Sequence, residues 1–148
     1  MKFAALAVLT TFSPLAMSQP TFVYIATQNP GKMGITLAEF DTRTGALSAP
    51  TMAAETRDQS YFTLSGDGRH LYMCNAGTPG GISAFAVDGR TGALTFQNFI
   101  ESTGRGPSHV SIDGSGRFVL DANYGGGYVE VLSLAADGSL SARTALVK

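Results

Sequence analysis

The sequence has 148 residues, of which 44% are hydrophobic and 14% are charged, and its formal net charge is -1. Because binding to phosphate backbones and anionic lipid heads needs uncompensated Lys and Arg, neither nucleic acid nor a membrane surface is expected as a partner. The single cysteine, Cys74, excludes an intramolecular disulfide scaffold and a multi-cysteine metal site.

The first 18 residues have the organisation of a secretory signal peptide. Lys2 precedes an apolar run from Phe3 to Leu9, and small residues precede a cleavage point after Ser18. The run is shorter than the ~20 apolar residues that cross a bilayer. A buried N-terminal helix is the alternative, but Pro14 would break it. We therefore expect a secreted or periplasmic protein whose folded part is residues 19–148.

Residues 35–47 are the first copy of a pattern that returns twice, at 82–94 and at 129–140. Each copy is an apolar run followed by a glycine turn and a Leu, and the Leu recurs after 47 and then 46 residues. In the first two copies the turns run from Asp41 to Gly45 and from Asp88 to Gly92. Asp commonly folds such turns through its own side chain, so these two are expected to be turn formers and not catalysts.

A second pattern joins residues 60–75 to residues 108–123 with an offset of 48 at every aligned position. Two patterns with one period indicate a repeat protein, and the spacing lies between the ~40–45 and ~50 residues of two propeller families. Each repeat predicts four short strands, A to D, and no helix. In the complete repeat they are Tyr61–Leu64, His70–Cys74, Ile82–Val87 and Thr95–Ile100. The predicted fold is all-β, a β-propeller of four-stranded blades with Cys74 buried in one of them.

The repeats are too few to close a ring. Residues 60–101 make one complete blade and 108–148 nearly another, whereas 21–55 supply only strands B, C and D. An open blade face of more than ~400 Å², at ~25 cal/mol per Å², costs roughly 10 kcal/mol, about the whole stability of a domain. We therefore expect the remaining blades to be missing from this chain, as in a fragment of a longer propeller. An oligomer of partial rings is the alternative.

Residues 106–127 resemble the signature of the propeller-type lactonases, which include 6-phosphogluconolactonases and carboxymuconate cyclases. The resemblance rests on Pro-Ser-His at 107–109 and Asn-Tyr-Gly-Gly-Gly at 123–127, with Thr-Gly-Ala-Leu at 44–47 and 91–94 and Ala-Ala-Glu at 53–55 in support. It spans essentially residues 21–148. It implies seven blades, of which this chain supplies rather under three from the N-terminal end.

The resemblance also implies a function, the hydrolysis of the internal ester of a sugar-acid lactone. In the family a Pro-His-rich stretch after the third blade is implicated in the chemistry, together with later Arg and Glu residues. Lys148 ends the sequence before that stretch would begin. The isolated chain is therefore expected to be inactive, with a partial site.

Strand directions place that partial site at one end of the blades. Strands A and C run one way and B and D the other, so the D-to-A and B-to-C connections share an end. Strand A is innermost in a propeller, which puts His109 near the central channel. The residues expected to meet there are Arg105, Ser108, His109, Asn123, Tyr124, Gly125, Gly126 and Gly127, with Ser60, Asn75 and Gly80 in the equivalent positions of the preceding blade.

Lactone hydrolysis needs a base that activates water and donors that stabilise the oxyanion. His109 is the candidate catalytic residue, as base or as substrate-positioning group, and a structural contact with a neighbouring blade is the alternative. Asn123 and the amides of the three glycines are candidate donors, although Asn before Gly also forms turns.

Three further side chains have weaker assignments. Arg105 is a candidate contact for an anionic substrate group, or else a solvated loop residue. Tyr124 is expected to pack between blades with its hydroxyl at the rim of the site. His70, at the opposite end of the blade, is interpreted as a surface residue.

No cofactor is expected, because the sequence has no phosphate-binding loop, no nucleophile elbow and no metal-spaced pair of histidines. Two functions remain. One is a secreted lactonase acting on a small-molecule lactone. The other is a secreted, non-enzymatic β-propeller that binds a partner, since repeats containing Asn-Tyr-Gly also occur in surface propellers. Export is at odds with a phosphorylated substrate, which belongs to cytoplasmic sugar metabolism.

Overall fold

A computed structural model describes residues 20–29, 32–104 and 106–148 of the chain. The predicted signal peptide, residues 1–18, and Arg105 lie outside the described residues. The described part contains eleven β-strands and no helix, which confirms the all-β prediction. The strands are β1 (Thr21–Asn29), β2 (Lys32–Phe40), β3 (Thr51–Glu55), β4 (Gln59–Leu64), β5 (His70–Asn75), β6 (Gly81–Val87), β7 (Leu94–Glu101), β8 (Pro107–Ile112), β9 (Phe118–Asn123), β10 (Tyr128–Leu134) and β11 (Leu140–Val147).

The strands form three antiparallel sheets in chain order. Blade 1 comprises β1–β3, blade 2 comprises β4–β7 and blade 3 comprises β8–β11. Blade 1 has only three strands, as predicted for residues 21–55. Where a strand of blade 2 differs from the predicted run, it extends one or two residues beyond it, since backbone pairing continues where side chains turn polar; β4, for example, starts at Gln59 and not at Tyr61.

The glycine turns have the geometry that the sequence indicates. Gly68 and Gly116, which join the first two strands of blades 2 and 3, have φ of 69° and 70°, a region that favours glycine. The predicted role of the turn aspartates is also confirmed. Asp88 Oδ1 accepts hydrogen bonds from the amides of Arg90 and Thr91, at 2.8 and 2.9 Å, and these bonds lower the pKa of Asp88.

Apolar side chains fill both interfaces between blades, because a four-stranded sheet buries its apolar faces by stacking on its neighbours. Between blades 1 and 2 the fully buried residues are Ile35, Leu71, Met73 and Phe85. Between blades 2 and 3 the core includes Tyr72, Cys74, Ile82, Val110, Val119 and Leu132. Cys74 is fully buried, as predicted, and burial raises the pKa of its thiol to about 12.

The blades converge at their first strands. Strand β4 packs closely against β8, whereas the last strands of the same blades, β7 and β11, approach each other at few points. This wedge-like arrangement is that of propeller blades around a central axis, with β4 and β8 innermost. In the part of the chain that the structure describes, no helix has the length and apolar character needed to cross a membrane.

Candidate functional site

A β-bulge near the start of β8 keeps the side chain of His109 out of the core between the blades. Pro107 pairs with Asn123 and His109 with Ala122, so Ser108 is an extra residue in β8. A bulge interrupts the alternation of a strand and redirects its side chains. Ser108 and His109 are consequently both exposed, although the residues on either side of them are buried. The inner position predicted for His109 therefore depends on a local irregularity of β8.

The same bulge is present one blade earlier, in β4. Gln59 pairs with Asn75 and Tyr61 with Cys74, which leaves Ser60 as the extra residue. Ser60 and Tyr61 are both exposed, and their Cα partners and burial repeat those of the equivalent residues 48 positions later. The two inner strands thus expose equivalent residues at the same end.

The bulged residues of the two blades contact each other. The rings of Tyr61 and His109 are stacked, with centroids 4.4 Å apart and an interplanar angle of 29°. The Ser60 hydroxyl donates a hydrogen bond to the Pro107 carbonyl oxygen at 3.0 Å, and Ser108 Oγ donates to the Ala122 carbonyl at 3.1 Å. His109 therefore touches the neighbouring blade while its ring remains exposed.

The glycine turn after β9 is shaped by Asn123. This side chain is only 2% exposed, and its Oδ1 accepts a hydrogen bond from the Gly126 amide at 2.8 Å. The Gly127 amide donates to the Asn123 carbonyl oxygen at 2.9 Å. The turn-forming interpretation of Asn123 is therefore confirmed. Its side-chain nitrogen is buried and has no hydrogen-bond partner among the described residues.

These bonds correct the predicted set of oxyanion donors. The Gly126 and Gly127 amides are already used within the turn, because each donates to Asn123. Among the described residues, nothing accepts a hydrogen bond from the Gly125 amide. Of the predicted group of donors, Gly125 is the one whose N–H is available to a ligand.

The packing role expected of Tyr124 is wrong, because this side chain is 90% exposed. Tyr124 belongs to the turn between β9 and β10 and so does not follow the alternation of either strand. Tyr128, at the start of β10, takes the expected place. It is 6% exposed, and its hydroxyl accepts a hydrogen bond from the Gly104 amide at 2.8 Å.

Most of the predicted site residues that the structure describes lie together at one end of blades 2 and 3. An open cleft of about 470 Å³ is lined there by Ser60, Ala76, Gly106, Pro107, Ser108, Tyr124 and Gly125. His109 follows the lining residue Ser108 in β8. The repeat also indicates a residue that the sequence analysis missed: exposed Arg57 stands 48 positions before Arg105, in the preceding D-to-A connection.

A larger groove, of about 730 Å³, lies at the opposite end. The carboxylates that line this groove accept hydrogen bonds within their own turns. Asp113 Oδ1, for example, accepts a hydrogen bond from the Phe118 amide at 2.8 Å. Hydrogen bonds within its own turn lower the pKa of Asp113. His70 lies at this end, as expected, but it is half-buried and not a free surface residue, because its Nε2 lies 2.9 Å from the Asp137 carbonyl oxygen of the next blade.

Sequence reasoning also missed a pair of buried carboxyls beneath the site. Asp121 in β9 is opposite Glu130 in β10, and both are fully buried. Glu130 accepts hydrogen bonds from Ser102 Oγ and Arg143 Nε, each at 2.6 Å. Burial, and next the charge of Glu130, raise the pKa of Asp121 to about 7. A signal was available, because Asp121 falls 48 residues after the core residue Met73.

Metal-binding side chains are not grouped at this end. Within residues 20–29, 32–104 and 106–148, no three His, Cys, Asp or Glu side chains are placed to hold a metal ion together.

Comparison with known proteins gives this arrangement a family. A model of the family described as lactonase, 7-bladed beta-propeller, matches residues 22–148. The chain belongs to the seven-bladed β-propeller lactonase family. The residues matched by that model include the bulged strand β8 and the glycine turn after β9.

Individual relatives agree. The chain is 39% identical over 119 residues to a 6-phosphogluconolactonase of Bacillus subtilis, an alignment that covers 79% of this chain and 34% of the relative. A crystal structure from Bacteroides uniformis, described as a candidate 6-phosphogluconolactonase, superposes with a TM-score of 0.79 at 30% identity, over 88% of this chain and 38% of that one. A periplasmic gluconolactonase of Pseudomonas aeruginosa superposes with a TM-score of 0.77 at 27% identity, over 86% and 38%.

The chain spans about a third of the length of the curated relatives it matches, since the alignments cover 34%, 31% and 28% of the first three.

Proposed function

We propose that the chain supplies part of the active site of a lactonase that hydrolyses the internal ester of a sugar-acid lactone. The observation that carries this proposal is the bulge in β8, which exposes His109 within the family signature and beside the cleft at Gly125. Named relatives support the reaction class, because they include 6-phosphogluconolactonases and a gluconolactonase.

In this proposal His109 acts as the general base. Its imidazole takes a proton from water as the water oxygen attacks the lactone carbonyl carbon. The carbonyl oxygen becomes an oxyanion, which the Gly125 amide stabilises by a hydrogen bond. The intermediate collapses by breaking the bond to the ring oxygen, and the imidazolium returns the proton to that oxygen. The product is the open hydroxy acid.

The remaining site residues have supporting roles. Asn123 holds the glycine turn in place through its bonds to Gly126 and Gly127. Ser108 fixes the bulge beside His109 through its bond to Ala122. Tyr124 and Arg105 are assigned to substrate binding, Arg105 as the contact for an anionic group. Arg57, at the repeat position equivalent to Arg105, is a second candidate for binding an anionic group.

The cellular location belongs to the proposal too. Residues 1–18 act as a signal peptide and residues 19–148 belong to the propeller, so the protein is secreted or periplasmic. A periplasmic gluconolactonase among the structural neighbours supports this location. N-terminal sequencing of the exported protein should begin at Gln19, whereas an intact Met1 would contradict export.

The experiment is an assay of lactone opening with the full-length gene product. Glucono-1,5-lactone and its 6-phosphate are offered separately at slightly acidic pH, where acid release is followed against spontaneous hydrolysis. We expect acceleration with at least one of them, and no acceleration with residues 1–148 alone because the site is partial. If the full-length product accelerates neither reaction, the enzyme proposal is removed and a binding propeller remains.

A further inference from the structure

His109 has one described contact that fixes its ring, the stacked ring of Tyr61. Among the residues that the structure describes, neither ring nitrogen of His109 has a hydrogen-bond partner. A histidine that moves protons is normally oriented by a hydrogen bond to one of its nitrogens, often from a carboxylate or a carbonyl. In this structure the group placed to orient His109 is instead the ring of Tyr61, which lies over one face of the imidazole.

The position of Tyr61 is built into the repeat. Its strand carries the same bulge as that of His109, and the two residues are equivalent in neighbouring blades. In a regular strand, one residue of each exposed pair would point into the core between the blades. The bulges instead leave both aromatic rings exposed on the inner strands β4 and β8. Tyr61 is 42% exposed, so core packing alone does not account for a large aromatic at this place.

We propose that Tyr61 is a positioning residue for the lactonase reaction, and this inference rests on the proposed function. Stacking covers one face of the imidazole and restricts its rotation, while the ring edge that bears the nitrogens stays open to water and substrate. The protonated imidazole that forms as water attacks also lies over the electron-rich face of the phenol ring. Tyr61 thereby acts through His109 and makes no bond to the substrate.

The kinetic test compares Tyr61→Ala with Tyr61→Phe in the full-length gene product. Phe keeps the stacked ring and loses only the hydroxyl, so it should retain kcat within about twofold, whereas Ala should lower kcat by about 10- to 100-fold with little change in KM. The matched control is Phe96→Ala, which removes an aromatic that is 58% exposed on the outer strand β7 and should leave both constants unchanged.

A spectroscopic arm keeps the two proposals separate. In the full-length gene product, the ring protons of His109 should show a ring-current displacement in the NMR spectrum that is lost in Tyr61→Ala and kept in Tyr61→Phe. Identical His109 signals in the wild type and Tyr61→Ala overturn the positioning role, whatever the lactone assay gives. Wild-type kcat in Tyr61→Ala overturns it and leaves the proposed function intact. A wild-type protein that accelerates no lactone reaction overturns the function, and with it any catalytic role for Tyr61.

Discussion

The two interfaces between blades share one hydrogen bond and differ in the residues that they bury. In both, a tyrosine of strand B of the repeat, which is β1 in blade 1 and β5 in blade 2, donates a hydrogen bond to the carbonyl oxygen of a turn glycine in the next blade. Tyr24 bonds to Gly92 at 2.7 Å, and Tyr72 bonds to Gly138 at 2.8 Å. The tyrosines are 48 residues apart and the glycines 46, so the repeat preserves this contact.

The difference lies beneath the candidate site. Between blades 1 and 2 the buried positions hold Met73 and Ser83, and the Ser83 hydroxyl donates to Asn75 Oδ1 at 2.7 Å. Between blades 2 and 3 the equivalent positions, 48 and 47 residues later, hold Asp121 and Glu130. One repeat position is thus apolar in one interface and ionisable in the other.

Two buried carboxyls need compensation, because removing charges from water costs several kcal/mol per ion. Arg143 supplies part of it: Nε lies 2.6 Å from Glu130, and the other end of the guanidinium donates to the Glu101 carbonyl oxygen at 2.7 Å. A proton on Asp121 makes that carboxyl a donor to the Glu130 carboxylate. The interface between blades 2 and 3 therefore has a core that contains ionisable groups, whereas no buried carboxyl lies between blades 1 and 2 among the residues that the structure describes.

The largest expected effect is that of Glu130→Ala. It leaves the buried Ser102 hydroxyl without its close acceptor and the partly exposed Arg143 without its ion-pair partner, and an unsatisfied buried group of this kind costs about 1–3 kcal/mol in the free energy of unfolding. Urea unfolding of the full-length gene product measures it.

The matched control is Ser83→Ala, at the equivalent position of blade 2, which should cost about 1 kcal/mol. Glu130→Gln, which keeps the size of the side chain, provides the comparison if the Ala variant does not fold. If Glu130→Ala and Ser83→Ala lowered the free energy of unfolding equally, the proposed difference between the two interfaces would be contradicted.

The next effect concerns pH. The pKa of Asp121 rises from its ordinary value of 3.8 to about 7 on folding, so the folded state holds the proton more tightly than the unfolded state. Its contribution to stability is therefore fully present below about pH 4 and is lost as the pH rises through about 7. Asp121→Asn should flatten this part of the profile in urea midpoints measured across that range. An unchanged slope in the variant would show that Asp121 is not the titrating group.

The smallest effect is that of the shared tyrosine contact. Tyr24→Phe and Tyr72→Phe each remove one hydrogen bond to a glycine carbonyl and should each cost about 0.5–1.5 kcal/mol. Thermal unfolding measures both variants, and their losses should be similar. A loss confined to one of them would mean that the two interfaces do not share this contact energetically.

Local rules were sufficient for much of the fold. Glycine turns and alternating runs placed the strands, and the direction of the strands put Ser108 and Gly125 at one end. The bulges at Ser60 and Ser108 could not be predicted, because an extra residue is visible only against its partner strand. The Tyr124 error has a similar origin, since the turn removes that residue from the strand alternation.

The donors required tertiary information, and so did the buried acids beyond the signal that the repeat gives for Asp121. Three consecutive glycine amides look alike in the sequence, and the contacts of Asn123 decide that Gly126 and Gly127 are used within the turn. Asp121 and Glu130 would each be expected at the surface, because a lone buried charge is unfavourable. Their burial becomes possible only when Ser102 and Arg143 are brought to the same place.

The most direct test of the central claim is the kcat/KM for lactone opening by the full-length gene product carrying His109→Gln. His70→Gln is the matched control, since His70 is the chain's other histidine and lies at the opposite end of the blades. We predict that His109→Gln lowers kcat/KM by about 10²- to 10⁴-fold, as expected for loss of a general base, while His70→Gln stays within about twofold. Wild-type activity in His109→Gln would contradict the account.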